Sequence, residues 1–195
     1  MKTEYEAKFV NIDVDNVRDK LRGSGAVLKI PMRLMRRVTI DTSEMKKKDA
    51  FLRVRDEGDR VTMTYKQFDA LSVDGAKEHE VIVSDFEETI ALLAAAGLPY
   101  GSFQESKRET WDLNRVEIVI DEWPWLSPYI EIEADDELQV KAIARQLGFD
   151  WNEAVFGDVM AAYRVQYPHL TEKDTVGNVS EVKFGNPLPP LLQEP

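Results

Sequence analysis

Several short stretches of this sequence set like charges two residues apart. Glu4 and Glu6 stand in TEYEAKFV with Lys8 next in the same rhythm, Glu78 and Glu80 stand in EHEVIV, and Glu131 and Glu133 in YIEIEA. Arg53 and Arg55 repeat the pattern with the opposite sign in FLRVRDE, and Lys66 falls in VTMTYKQF. On a β-strand, residues i and i+2 share a face, so each pair places two like charges side by side. They repel unless something bridges them. A divalent cation bridges carboxylates, and a polyanion bridges guanidinium groups. Hard cations such as Mg²⁺ and Mn²⁺ take oxygen ligands, and Mg²⁺ is commonly shared between one or two carboxylates and substrate phosphates. Arginine forks match phosphate oxygens in pairs, and lysine adds a point charge. Acids for a metal beside bases for phosphate make an inventory suited to phosphoryl transfer.

The elements that must carry these residues alternate with period two. Glu4, Glu6 and Lys8 oppose Tyr5, Ala7 and Phe9; Arg53 and Arg55 oppose Leu52 and Val54; Thr62, Thr64 and Lys66 oppose Val61, Met63 and Tyr65. RVEIVID sets Glu117, Val119 and Asp121 against Val116, Ile118 and Ile120, and YIEIEA sets its glutamates against Ile130 and Ile132. DEGDR, with Gly58, reads as a tight antiparallel hairpin. With LMRRVTID near 34–41 and ESKRETWDL near 105–113, the count reaches about eight strands. Four helices are legible. One starts at Asp13 and runs to about Arg22. A second follows a capping box of Ser84 and Glu87, a third spans about Asp136 to Gly148, and a fourth about Asp158 to Tyr167, closed by Pro168.

An antiparallel sheet often shows a charged face to water, and each strand alone fits that reading. Together they fit an enclosed face better. The charges are sorted by strand instead of mixed, and the opposite faces are apolar enough to be covered by amphipathic helices. The expected fold is α+β: a closed antiparallel β-barrel, a tunnel, with helices packed outside.

Length supports one medium domain, assigned to residues 1–170, with residues 171–195 as a tail that wraps the surface or is disordered. Hydrophobic residues at 43% exclude a disordered chain despite 31% charged residues. Cysteine is absent, which excludes disulfides, thiolate metal sites and cysteine nucleophiles. A net charge of −11 argues against a general nucleic-acid partner. No long apolar run exists and MKTEYEAKFV is no signal sequence, so the expected location is cytoplasmic, with no membrane partner.

The order of these motifs resembles the CYTH or triphosphate tunnel metalloenzyme superfamily. Glu4-x-Glu6-x-Lys8 is similar to its ExExK signature, and LRVR, TYK, EHE, KRETW and IDEWPWLSPYIEIE follow in order over residues 1–167. The resemblance implies an eight-stranded tunnel and an enzyme dependent on Mg²⁺ or Mn²⁺. It implies a small-molecule triphosphate as substrate: ATP for a class IV adenylate cyclase, tripolyphosphate or thiamine triphosphate for a triphosphatase. It further implies that Glu4, Glu6, Asp121, Glu131 and Glu133 hold metals with Glu78 or Glu80 in support. Lys8, Arg53, Arg55, Lys66 and Arg108 would grip the triphosphate, joined by Arg37 if it faces inward, with Lys66, Glu4 and Glu6 as the catalytic residues. The assembly would be a monomer or homodimer. Two positions depart from the family pattern. Thr39 stands where a tyrosine is common in Tyr-Phe-Asp, which weakens a tyrosine–lysine hydrolytic dyad and tilts the reading towards the cyclase. Ser106 stands where KxR has its inward lysine, leaving Lys107 facing out.

Two other readings are a non-catalytic polyphosphate or nucleotide binder, and an α+β domain with a solvated sheet face. His79 falls on an apolar strand face and is expected to be packed, and His169 to be exposed. Trp123 and Trp125 are expected to anchor a loop, and Lys46–Lys48 to form a solvated turn.

Overall fold

A computed structural model describes residues 1–194. Eight long strands form the barrel: β1 (Lys2–Phe9), β2 (Val27–Ile40), β3 (Ala50–Asp56), β4 (Val61–Phe68), β5 (Ala76–Val83), β6 (Ser102–Leu113), β7 (Val116–Trp123) and β8 (Leu126–Ala134). They are ordered β2-β3-β4-β5-β1-β8-β7-β6, and β6 pairs back onto β2 to close the ring. Every pairing within the ring is antiparallel. Closure removes the exposed sheet edges that an open sheet would present. The seams differ in length: β2 and β6 pair from Val27 to Thr39, whereas β1 and β5 share only Lys2 to Glu4.

The helices lie on the outer wall: α1 (Val14–Gly23), α2 (Ser43–Lys46), α3 (Phe86–Ala95), α4 (Glu137–Gln146) and α5 (Val159–Gln166). Asp13 caps α1 and Asp136 caps α4, each accepting the backbone N–H three residues on, as the orphaned amides of a first turn require. The cap of α3 is Asp85, which accepts from Glu88 N at 2.8 Å, so the box read at Ser84 and Glu87 sits one residue too early. The short α2, capped by Thr42, ends at Lys46, and Lys47 and Lys48 form the exposed turn expected of that lysine run.

The usual arrangement of a barrel is inverted here, because the hydrophobic core lies outside the sheet. Outward residues of β1, β7 and β8, such as Ala7, Ile118, Ile120, Ile130 and Ile132, pack under α1 and α4 against Leu21, Val140, Ile143 and Leu147. Val38, Ile40 and Val54 pack under α3 against Phe86 and Leu93. A third cluster joins α5 to the C-terminal segment through Tyr163, Val176, Val182 and Leu192. That segment adds a short strand, β9 (Glu181–Val182), parallel to β6 at Phe103–Gln104, and Trp125 Nε1 donates to Asn186 O at 2.8 Å. The outer face of β5 lacks a cover: His79 is exposed and Val81 is 52% exposed, so His79 is not packed as its apolar neighbours suggested. His169 is half-buried, its ring nitrogen 3.4 Å from Leu191 O, where exposure was expected.

Candidate active site

The inward positions divide the ring into two contiguous halves. β5, β1, β8 and β7 carry acids: Glu78 and Glu80, Glu4 and Glu6, Glu131 and Glu133, and Asp121. β6, β2, β3 and β4 carry bases: Arg108, Arg37, Arg53 with Arg55, and Lys66. Lys8 projects from the acidic half. All of these residues line one cavity of about 270 Å³, so the face read as enclosed is enclosed, and Arg37 does point inward. Ser106 lies in the same wall, while Lys107 points out to Glu122 at 3.2 Å.

Two ammonium groups bridge the acids. Lys8 Nζ lies 2.7 Å from Glu131 and 3.0 Å from Glu6; Lys66 Nζ lies 2.8 Å from Glu4 and 3.3 Å from Glu6. Burial works against the charge on Lys8, but Glu131 and Glu6 outweigh it and raise its pKa. Lys66 is raised in the same way by Glu6 and Glu4. Arg108 donates twice to Asp121, at 2.7 and 2.6 Å, and the Tyr129 hydroxyl donates to the same carboxylate at 3.2 Å.

Two lysines do not satisfy this many carboxylates. Burial and the neighbouring Glu4, Glu131, Glu6 and Glu117 push the Glu133 carboxyl up to about 8. Burial and a hydrogen bond to Glu4 push Glu78 up to about 7. Glu131 is held low, since Lys8 and Arg108 override its burial. The basic half is crowded in the opposite sense. Burial, then Arg55 and Arg37, lower Arg53 to about 9, and burial and Arg55 lower Arg37 to about 10. Arg53 and Arg55 each keep a buried Nε without a partner, and the carboxylate nearest Arg53, Glu80, stands 3.6 Å away. One wall is short of positive charge, and the wall facing it is short of negative charge.

Among the described residues no three acidic or histidine side chains converge on a point ready to hold a metal. The donor set nevertheless fits a hard cation. It consists wholly of carboxylate oxygens, of which burial and neighbouring carboxylates push Glu78 up to about 7 and Glu133 up to about 8, with Lys8 and Lys66 ammoniums standing between the glutamates where a cation would bridge them.

The CYTH domain profile matches residues 2–154. The chain belongs to the CYTH domain family. Members of that family act on triphosphates with divalent metal ions. Among solved structures, this CYTH chain resembles a conserved hypothetical protein from Pyrococcus furiosus, with 18% identity and a TM-score of 0.67 over 78% of this chain and 94% of that one. An adenylate cyclase candidate from Vibrio parahaemolyticus gives 12% identity and a TM-score of 0.70 over 82% and 96%. An adenylyl cyclase candidate from Hippeastrum, described as having a dominant triphosphatase activity, gives 13% and 0.55 over 88% and 98%. At these identities the likeness is one of fold. No curated protein matches the sequence.

The tunnel of this CYTH protein includes residues that the sequence motifs did not mark. Trp123 lines it and carries the Arg37 guanidinium 4.2 Å from its ring, and it is at the same time buried in the core cluster that holds Trp125 and Leu126, so both tryptophans anchor the loop and Trp123 also faces the tunnel. Tyr129 and Asp158 also line it, and the buried Glu57 beside it pairs with both Arg55 and Arg33. Trp123 and Tyr129 share strand parity with Asp121 and Glu131, which is the signal that could have found them.

Proposed function

We propose that this CYTH protein is a metal-dependent enzyme acting on a triphosphate, and that its reaction is cyclisation of ATP to cyclic AMP with release of pyrophosphate. The observation that carries the proposal is the split lumen, in which an under-neutralised acidic half faces a basic half with unpartnered guanidinium nitrogens. A polyanion carrying divalent cations complements both halves at once. Glu4, Glu6, Glu131, Glu133 and Asp121 would hold Mg²⁺ or Mn²⁺, with Glu78 and Glu80 beside them. When bound, the cations supply the positive charge that offsets charge building on the phosphoryl oxygens.

The remaining work falls to the chain itself. Arg37, Arg53 and Arg55 bind phosphate oxygens through their guanidinium forks, and Arg53 and Arg55 each have an Nε that no protein group takes up. Arg108, oriented by Asp121, and Lys8 add charge from the adjoining strands. The donors are fixed before substrate enters, so their stabilisation of the transferred group needs no reorganisation. Lys66, paired with Glu4 and Glu6, which raise its pKa, adds positive charge to the phosphate-facing wall. With Thr39 where a tyrosine would pair with that lysine, the tunnel has no such dyad for hydrolysis. This favours attack by a hydroxyl of the substrate itself, its proton passing to a carboxylate of the acidic half.

Hydrolysis of a triphosphate would use the same walls. A product assay with ATP, tripolyphosphate and thiamine triphosphate, each with Mg²⁺ and with Mn²⁺, separates the two. Cyclic AMP with pyrophosphate is expected; orthophosphate instead would assign a triphosphatase, and metal-dependent binding without product would assign a binding module.

A further inference from the structure

Arg37 is held differently from the other arginines of the tunnel. Among the described residues Arg108 pairs with Asp121, Arg55 and Arg60 with Glu57, and Arg53, at 3.6 Å, with Glu80, whereas no carboxylate pairs with Arg37. Its neighbours are neutral: the Trp123 ring, 4.2 Å from the guanidinium, and Gln104, whose Oε1 accepts from Arg37 Nε at 2.8 Å. Gln104 stands directly across from Arg37 in the β2–β6 ladder and is buried, yet it does not line the tunnel cavity. Its Nε2 donates to Ser102 Oγ at 3.2 Å, and that hydroxyl donates to the backbone carbonyl of Val179 at 2.6 Å.

We propose that Gln104 is a positioning residue, which with Ser102 transmits the placement of the C-terminal segment to the Arg37 guanidinium and so orients it toward the triphosphate. The inference rests on the triphosphate reading of the tunnel. Every bond in the relay has a fixed direction. A guanidinium only donates, so Gln104 turns its carbonyl to Arg37 and its amino group to Ser102; a carbonyl only accepts, so the Ser102 proton goes to Val179 and its lone pair faces Gln104. Tied at Nε, the fork keeps its two terminal nitrogens as a pair able to meet two phosphate oxygens. A carboxylate at position 104 would hold the same Nε but would offset the charge that binds the anion. The amide orients without neutralising.

The segment that anchors the relay lies beyond the CYTH match at residues 2–154. β2 occupies one edge of β6 from Ser102 to Asp112, and β7 takes the other only from Lys107 to Leu113. The C-terminal segment fills that second edge where β7 has left it: Phe103 N donates to Ser180 O at 2.9 Å, and β9 pairs with Phe103 and Gln104. Val176, Val182 and Leu192 pack in the same cluster as Trp123, so both neutral neighbours of Arg37 are backed by this segment. Simple wrapping of the surface would not require a polar chain running through buried Ser102 and Gln104 to a lumen arginine, since buried polar groups are costly unless each is satisfied.

The test is a double-mutant cycle on the full chain with Mn²⁺, titrating tripolyphosphate into the wild type, Gln104→Met, Arg37→Met and the double variant, with Ser102→Ala and Gln104→Glu alongside. Gln104→Met should weaken binding about tenfold, the scale of a hydrogen bond to a charged group, and Ser102→Ala about threefold. Once Arg37 is replaced by Met, the Gln104 change should alter affinity by less than about twofold, because the two act as one unit. Gln104→Glu, which keeps an acceptor but offsets the charge, should also weaken binding about tenfold while the melting temperature stays level or rises. A Gln104→Met effect below about twofold, or one of equal size in both backgrounds, would overturn the positioning role. Should Gln104→Met lose its cooperative melt, Ser102→Ala in the two Arg37 backgrounds supplies the same cycle. A second readout needs no ligand: exchange of the Arg37 Nε proton, followed by nitrogen-15 NMR, should quicken about tenfold in Gln104→Met and measurably in Ser102→Ala. Unchanged exchange in both would overturn the inference whatever the tunnel binds. Failure of the wild type to bind tripolyphosphate with metal, while exchange responds as expected, would overturn the tunnel reading and leave the relay's hold on Arg37 in place.

Discussion

Arg53 is buried, flanked by Arg55 and Arg37, and only distantly offset by Glu80 at 3.6 Å. A buried charge without a close partner costs stability, and such positions persist where function needs them. Arg53→Met should therefore leave the melting temperature unchanged or a few degrees higher, while triphosphate affinity drops at least tenfold; calorimetry and a binding titration on one preparation read both. Glu133 makes the complementary case. Its carboxyl titrates near 8 in the fold and at 4.5 in its unperturbed state, so its contribution to stability is complete below 4.5 and is lost as pH rises through 8. For the metal-free protein this loss, discounted for the partial exposure of the side chain, is on the order of 2 kcal/mol. Denaturant melts of metal-free protein at pH 5 and 8.5 should show Glu133→Gln losing less over that interval than the wild type. The charged residues were legible in the sequence because like charges at i and i+2 have few structural uses. Trp123 and Tyr129 were not, since an aromatic residue on a strand is ordinarily core and only its parity marks it as inward. Asp158 left no local signal beyond its role as a cap, because α5 brings it to the tunnel through tertiary packing.

At the scale of elements, period two identified the barrel strands, since a polar lumen and an apolar outer wall enforce strict alternation. β2 was found only in its second half. Its first residues, VLKIPM, pair with β6 through register shifts on either side of Ile30, and irregular pairing there erases the alternation. α2, one turn long, is too short to show any periodicity. The helix ends were set by capping chemistry, and α3 gives a direct check on it. Asp85→Ala should cost about 1 kcal/mol in chemical denaturation, while Ser84→Ala should stay within about 0.5 kcal/mol. The reverse order would restore the capping box read from the sequence.

For the molecule as a whole, the ammonium groups of Lys8 and Lys66 already sit between the glutamates, so the barrel does not depend on metal to keep its acids together. EDTA should abolish turnover and leave the circular dichroism spectrum and the cooperative melt in place. Activity that survives chelation would contradict the role given to the acids. The inversion that puts both halves of the charged lumen inside has a further effect, on how substrate arrives. Acids and bases nearly offset one another within the tunnel, so most of the excess of −11 is carried by the outer surface. A free triphosphate diffusing in from bulk thus meets a like-signed field before it reaches any arginine. Ions that shorten the reach of that field should speed the encounter, so moderate salt is expected to raise the association rate, whereas for most enzymes of anionic substrates it lowers it.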